Sequence, residues 1–245
     1  MKKNILIALI LLLSAACAEK QEVFDPAAAF SAAEESMQKG DFEKARRAYQ
    51  ELQEKAPEKS YDPAVMLRIA DTYFGEEKYE EALVEYQNFL NYHPANKEAP
   101  YAQYQLALCS YNQMSTIDRD PEMTRAALRE FQALLKKYPG SNFEEQAGNY
   151  IAICLDRLAQ YEFYVARFYG KKGSTRAAIG RLEKLLADYP GSSVEKDALF
   201  EAGAAYLKAG ERDKARAMLE TLGRKYPSMA EEAASLMEKP GADPR

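Results

Sequence analysis

The side chains that could do chemistry are few and poorly grouped. In 245 residues there is one histidine, His93, and there are three cysteines, Cys17, Cys109 and Cys154. His93 stands directly before Pro94 at the end of a helical segment, where a capping or exposed role suits it. A lone imidazole without a cysteine cluster makes a poor metal site. With that single histidine, no Ser, His and acid set can be assembled for nucleophilic catalysis. Gly170-Lys171-Lys172-Gly173-Ser174-Thr175 has the residue types that end a phosphate loop, but it lacks the upstream glycine and follows a helix rather than a strand. The acidic pairs Glu34-Glu35, Glu76-Glu77 and Glu144-Glu145 fall near helix starts or turns, where solvation and the helix dipole account for them. Cys109 and Cys154 lie in apolar helical surroundings and read as buried free thiols, with a bond between them as the alternative in an oxidising compartment. These residues predict no enzyme, no metal site and no cofactor.

The elements that must position any functional surface are repeated. Prolines recur behind similar segments at Pro57, Pro94, Pro139, Pro190 and Pro227, separated by 37, 45, 51 and 37 residues. Two spacings are near the 34-residue tetratricopeptide period and two are longer, as insertions would make them. Twelve residues before each proline stands an alanine: Ala45, Ala82, Ala127, Ala178 and Ala215. Four residues on come Tyr49, Tyr86, Phe131, Leu182 and Leu219, and three further Leu52, Phe89, Leu134, Leu185 and Leu222. That is one face of a second helix, with the small residue at the close approach. First helices repeat as well, as Met66, Ile69, Ala70 and Tyr73 and as Leu199, Ala202, Gly203 and Tyr206. The pattern predicts an all-α tetratricopeptide-repeat solenoid of five helix pairs, at about 27–57, 62–94, 98–139, 142–190 and 194–227, then a short helix and tail over 228–245. The third pair carries an insertion, Ser115 to Glu122, in which Asp120 is placed to cap a helix opening at Pro121. The fourth has an extended first helix, from about Glu144 to Tyr169.

The ends bear on location. Met1-Lys2-Lys3-Asn4, an apolar run from Ile5 to Leu13, and Ser14-Ala15-Ala16 have the parts of a secretory signal over residues 1–16. The twelve residues from Ile5 to Ala16 are too few to span a bilayer comfortably, which takes about 20. Removing the two lysines of this segment takes the formal charge from −5 to −7, a poor balance for holding nucleic acid. Leu13-Ser14-Ala15-Ala16-Cys17 resembles the lipobox of bacterial lipoproteins, with Ser14 where a leucine is usual. The resemblance implies S-diacylglycerol and N-acyl chains on Cys17, residues 17–26 as a lipidated linker, and membrane attachment through that anchor alone. Ala18 after the cysteine favours the periplasmic face of an outer membrane.

What remains is surface for partners. On repeat geometry Leu67, Asp71 and Phe74, with Tyr104, Leu108 and Asn112, form the wall of a substrate-peptide groove or else pack against neighbouring helices. From Leu158 to Tyr169, Leu158, Tyr161, Val165 and Phe168 make one stripe while Phe163, Tyr164 and Tyr169 supply aromatics elsewhere. Arg167, Lys171, Lys172, Arg176 and Arg181 lie among or after them, an interface composition.

That segment, Leu158-Ala159-Gln160-Tyr161-Glu162-Phe163-Tyr164-Val165-Ala166-Arg167-Phe168-Tyr169, with Gly173, Ala177-Ala178, Arg181, Tyr189-Pro190-Gly191-Ser192 and Asp197-Ala198-Leu199, resembles the BamD (ComL/YfiO) family of outer-membrane assembly lipoproteins. Asp118-Arg119-Asp120 fits the family's loop, and the likeness spans nearly all of residues 17–227. Gly170, where the family usually has a larger residue, departs from it. The resemblance implies a periplasmic scaffold whose first repeats meet unfolded β-barrel substrates and whose last repeats meet the periplasmic domains of a BamA-like barrel component, with accessory lipoproteins as further partners. It places that contact around Lys196. An adaptor for pilus or secretin assembly, or for envelope and division complexes, is the alternative with the same helices.

Overall fold

The computed structural model describes residues 24–55 and 62–238. The signal segment, Cys17, most of the linker, Pro57 and the tail from residue 239 lie outside the described residues. The chain divides into two compact units, Met1–Val65 and Met66–Arg245, and every regular element among the described residues is helical.

In the first unit, α1 (Pro26–Gln38) and α2 (Phe42–Lys55) form an antiparallel pair. α1 opens where the chemistry of a helix start is complete: Pro26 fills the first position, and Asp25 Oδ1 accepts from the Ala27 and Ala28 amides at 3.0 and 3.2 Å. The Tyr49 hydroxyl donates to Glu34 at 2.5 Å, and the Tyr49 ring meets Phe30 edge-on at 5.7 Å. Helix α3 (Asp62–Gly75) begins in this unit and runs into the second.

The second unit continues with α4 (Tyr79–Tyr92), α5 (Ala99–Asn112), α6 (Glu122–Lys137), α7 (Glu144–Lys171), α8 (Thr175–Asp188), α9 (Glu195–Lys208), α10 (Arg212–Lys225), a 3-10 turn (Pro227–Met229) and α11 (Ala230–Glu238). Each helix from α5 to α11 packs on the one before it, which makes the unit a tetratricopeptide solenoid. None of α4 to α10 has a side-chain hydrogen bond at its N-cap. Their stability comes from burying one face, as is usual for helices this short. The repeated alanines and the two large residues that follow each are all buried, none more than 4% exposed. Five copies of one spacing thus become five copies of one seam.

The three-residue turn inside the first, second, fourth and fifth pairs has a left-handed residue two positions before the second helix. Gly40, Gly173 and Gly210 fill it with φ of 77°, 77° and 78°. In the second pair Gly75 lies two places too early, inside α3, and Glu77 takes φ 59° instead. The insertion in the third pair corrects one expectation: α6 opens at Glu122 with Pro121 at its N-cap, and Asp120 faces Arg125 at 3.3 Å rather than capping the helix. Pro121 leaves α6 no amide at the cap, and the Asp120 carboxylate turns to the nearest cation. The long first helix of the fourth pair is as the sequence predicts, with 28 residues, about 42 Å at 1.5 Å per residue.

Candidate partner-binding surfaces

The six residues expected to wall a peptide groove are divided by their surroundings. Leu67 is 5% exposed and belongs to the core shared by α3, α4 and α5. Asp71 is an internal hub: Oδ1 accepts from the Tyr86 hydroxyl at 2.7 Å and the Tyr101 hydroxyl at 3.0 Å, and Oδ2 from Arg68 at 3.0 Å. Burial pushes this carboxyl up, against the pull of the Tyr86, Arg68 and Tyr101 hydrogen bonds. Tyr104 stacks on Phe143 at 4.9 Å within an aromatic cluster with Phe131 and Tyr150. Phe74 is half-buried against Tyr79, and Leu108 is half-buried beside the core of α5, α6 and α7. Only Asn112 of the six is exposed. A wall of six open side chains is therefore corrected to three available edges, Phe74, Leu108 and Asn112. The other three bind helix to helix, Leu67 in the core, Asp71 through its hydrogen bonds and Tyr104 in its aromatic cluster.

The second set converges better. On α7 the buried seam beside α8 is Leu158, Ala159, Glu162 and Ala166, and of the stripe Leu158, Tyr161, Val165 and Phe168 only Leu158 is part of it. Tyr161 and Val165 are half-buried, and Phe168 is 50% exposed. Small Ala159 and Ala166 let α8 and α9 approach, which turns the aromatics outward. Glu162, 2% exposed, is held by Arg181 at 2.8 Å and by Lys184. Burial raises its pKa, but the Lys184 and Arg181 hydrogen bonds outweigh that and hold the carboxyl below its ordinary range.

Outside this seam lies a groove of about 520 Å³, lined by Ile117 from the third-pair insertion, by Gln160, Phe163, Tyr164, Arg167, Phe168 and Lys171 of α7, and by Ser193 and Val194 ahead of α9. Tyr164 is 43% exposed and Ile117 38%. Two cations and no carboxylate are on the lining. Arg167 lies 5.8 Å over the Phe163 ring and 3.4 Å from Glu201 on α9, and Lys172 sits 5.8 Å over Phe168. Of the six expected interface residues, the structure brings Tyr164 and Arg167 into one groove and sets exposed Lys196 two residues beyond Val194. Tyr161 lies off the groove lining. Arg176 is exposed and pairs with Glu211 at 3.5 Å. Arg181 is turned inward to Glu162, so it is a structural cation rather than an interface one. Ile117 was missed in the sequence because a lone isoleucine in a polar loop gives no periodic signal.

The remaining candidates for chemistry fall into structural places. His93 is the C-cap residue of α4, its amide donating to Phe89 O at 2.8 Å. Cys109 and Cys154 are free and buried, and burial pushes their thiols up to about 12 and about 11. Lys172-Gly173-Ser174 is a tight turn between α7 and α8. Among the described residues no helix is long and apolar enough to cross a membrane.

Fold and surface together define the class: a tetratricopeptide-repeat protein whose distinguishing feature is an aromatic, cationic groove on its fourth pair. Within that class the chain belongs to the YfiO family, described as outer membrane lipoprotein, whose model matches residues 23–233. Similar curated proteins include the outer membrane protein assembly factor BamD of Caulobacter vibrioides, 27% identical over 198 residues. The match covers 81% of this chain and 65% of that protein's length. BamD of Rickettsia prowazekii is 29% identical over 192 residues, 78% of this chain and 76% of its own. Among solved structures, the tetratricopeptide protein YrrB is 20% identical and covers 91% of this chain and 97% of its own, with a TM-score of 0.40 that supports no further comparison.

Proposed function

We propose that this chain is a periplasmic scaffold lipoprotein of the β-barrel assembly machinery, acting by binding and positioning rather than by making or breaking bonds. Acyl chains on Cys17 hold it to the periplasmic face of the outer membrane; stable attachment takes more than one chain. The groove of the fourth pair, with Tyr164 and Arg167 and with Lys196 beside it, takes the periplasmic domains of a BamA-like barrel component. Phe74, Leu108 and Asn112 offer apolar edges and an amide to unfolded barrel substrates, and accessory lipoproteins have the remaining exposed faces. The observation that carries the reading is the groove: exposed aromatics beside Arg167 and Lys171, in a chain of the family whose curated relatives are named assembly factors.

The test is affinity purification of the full lipoprotein from its native envelope, with an Arg167→Glu/Lys196→Glu variant alongside. The expected result is recovery of a β-barrel protein with repeated periplasmic domains, reduced in the variant. Reproducible recovery of pilus, secretin or division proteins in its place would replace this reading with an adaptor role.

A further inference from the structure

The turn between the two helices of a pair is three residues long in the first, second, fourth and fifth pairs, but nine in the third, from Gln113 to Pro121. The six extra residues do not hang free. Arg157, on α7, donates from Nη2 to the carbonyl of Ser115 at 2.7 Å. Arg125 holds the far end through Asp120 at 3.3 Å. Between these ties Ile117 is 38% exposed and lines the same groove as Tyr164, Phe168 and Val194. Ile117 thereby joins Phe163, Tyr164, Phe168 and Val194 in one apolar lining rather than standing as a lone exposed side chain.

We propose that the third-pair insertion is the specificity wall of the fourth-pair groove, with Ile117 its contact residue and Arg157 its positioning residue. The occupant is a segment of the barrel component's periplasmic domains that presents a large apolar side chain beside a carboxylate. Charge selects the carboxylate: the chain as a whole carries −5, while the groove lining has Lys171 and Arg167 and no acid. Lys172 lies over Phe168 at its edge, so the cations outnumber Glu201, the one carboxylate paired with Arg167 from α9. Such a local reversal of sign steers an acidic group and rejects a basic one. Apolar shape selects the neighbour, since Ile117, Phe163 and Phe168 line one groove of about 520 Å³. A short turn, as in the other pairs, would leave that side open and the groove unselective. This proposal rests on the functional reading above for the partner's identity, but not for the geometry of the wall.

Site-specific photo-cross-linking in the living envelope separates the two. Benzoylphenylalanine replaces Ile117, Phe168 or, as a control on another part of α7, exposed Ile153. The expected result is one adduct, of the same partner, from positions 117 and 168. In the Ile117→Asp background the adduct from 168 falls by about tenfold, as loss of an apolar contact worth 1.4 kcal/mol would give, while Ile117→Leu retains it and both variants keep the wild-type melting temperature. In Arg157→Ala the adduct from 117 falls more than the adduct from 168, a difference that general destabilisation would not produce. No adduct at 117, or different partners at 117 and 168, overturns the wall. If both positions trap one protein and it is not a barrel component, the wall stands and the functional reading fails.

Discussion

Arg181 reaches across from α8 to place its guanidinium 2.8 Å from the carboxylate of Glu162, a side chain 2% exposed on α7. Lys184, one turn further along α8, reaches the other oxygen. Arg181, which reads as an interface cation in sequence, is therefore one of two cations by which the long helix is fastened to its partner.

Glu162 is held below the ordinary carboxylate range, so its contribution to stability is complete above that range and is lost as pH falls through the depressed value. Glu162→Gln should cost roughly 1–2 kcal/mol at pH 7, less than breaking a fully buried pair, because Arg181 and Lys184 are half-exposed and stay solvated. The gap between variant and wild type should close in acid, where both side chains are neutral. Urea unfolding from pH 7 to pH 3 measures it; a gap that stays constant would refute the pairing as a stabilising contact.

Asp71 has the opposite sign. Its folded pKa is raised, so the stabilisation it gives is complete below the ordinary carboxylate value and diminishes as pH rises through the folded one. Asp71→Asn keeps an oxygen for Tyr86 and Tyr101 and removes the cost of a buried charge. It should be at least as stable as wild type at pH 7 and lose that standing at pH 4. Asp71→Ala leaves two phenols without an acceptor and should cost about 2 kcal/mol. Thermal melts of both variants at the two pH values decide this.

Glu77 occupies a left-handed turn that three other pairs give to glycine. Glu77→Gly should raise stability by about 0.5–1 kcal/mol, because relief of backbone strain exceeds the added entropy of the unfolded chain. The reverse change, Gly173→Ala, should lower it by a similar amount. Denaturant midpoints at constant slope would report both; a loss on Glu77→Gly would mean that the Glu77 side chain makes a contact outweighing the strain.

Gly203 lies where α9 and α10 touch. A methyl group placed on it would stand 2.6 Å from Leu219 Cγ. Gly203→Ala should cost about 1–3 kcal/mol through overpacking. Combining it with Leu219→Ala should cost less than the two single changes together, since the second opens the space that the first needs. Additive losses would show that Leu219 is not what excludes the side chain.

The seam of the repeats was legible because it depends on spacing: one alanine and two large residues, five times over, fix which face of each second helix is buried. The long helix was legible for the same reason, since nothing between Glu144 and Lys171 interrupts it. Exposure on the first helices was not. Leu67 and Tyr104 resemble groove residues in sequence, and only their tertiary neighbours make Leu67 core and set half-buried Tyr104 in an aromatic cluster. The buried seam of α7 is hard to read because its aromatics outweigh Ala159 and Ala166 in the pattern, although small residues set how closely helices approach. Glu162 could have been found from the cations at 181 and 184, one turn apart and opposite it. Ile117 could not, because its role depends on a tether from a residue forty positions away.

Helix α7 has one further consequence. Its first half supplies Ala147 and Cys154 to one cluster of buried side chains, and its second half supplies Ala159 and Ala166 to the next. In most repeat arrays neighbouring modules are joined only through their interface and can come apart one at a time. Here a single uninterrupted rod is a structural member of both clusters, so neither can melt while the other keeps its helix intact. The third, fourth and fifth pairs are thereby made one cooperative folding block, and a partner seated on any part of that block stabilises all of it.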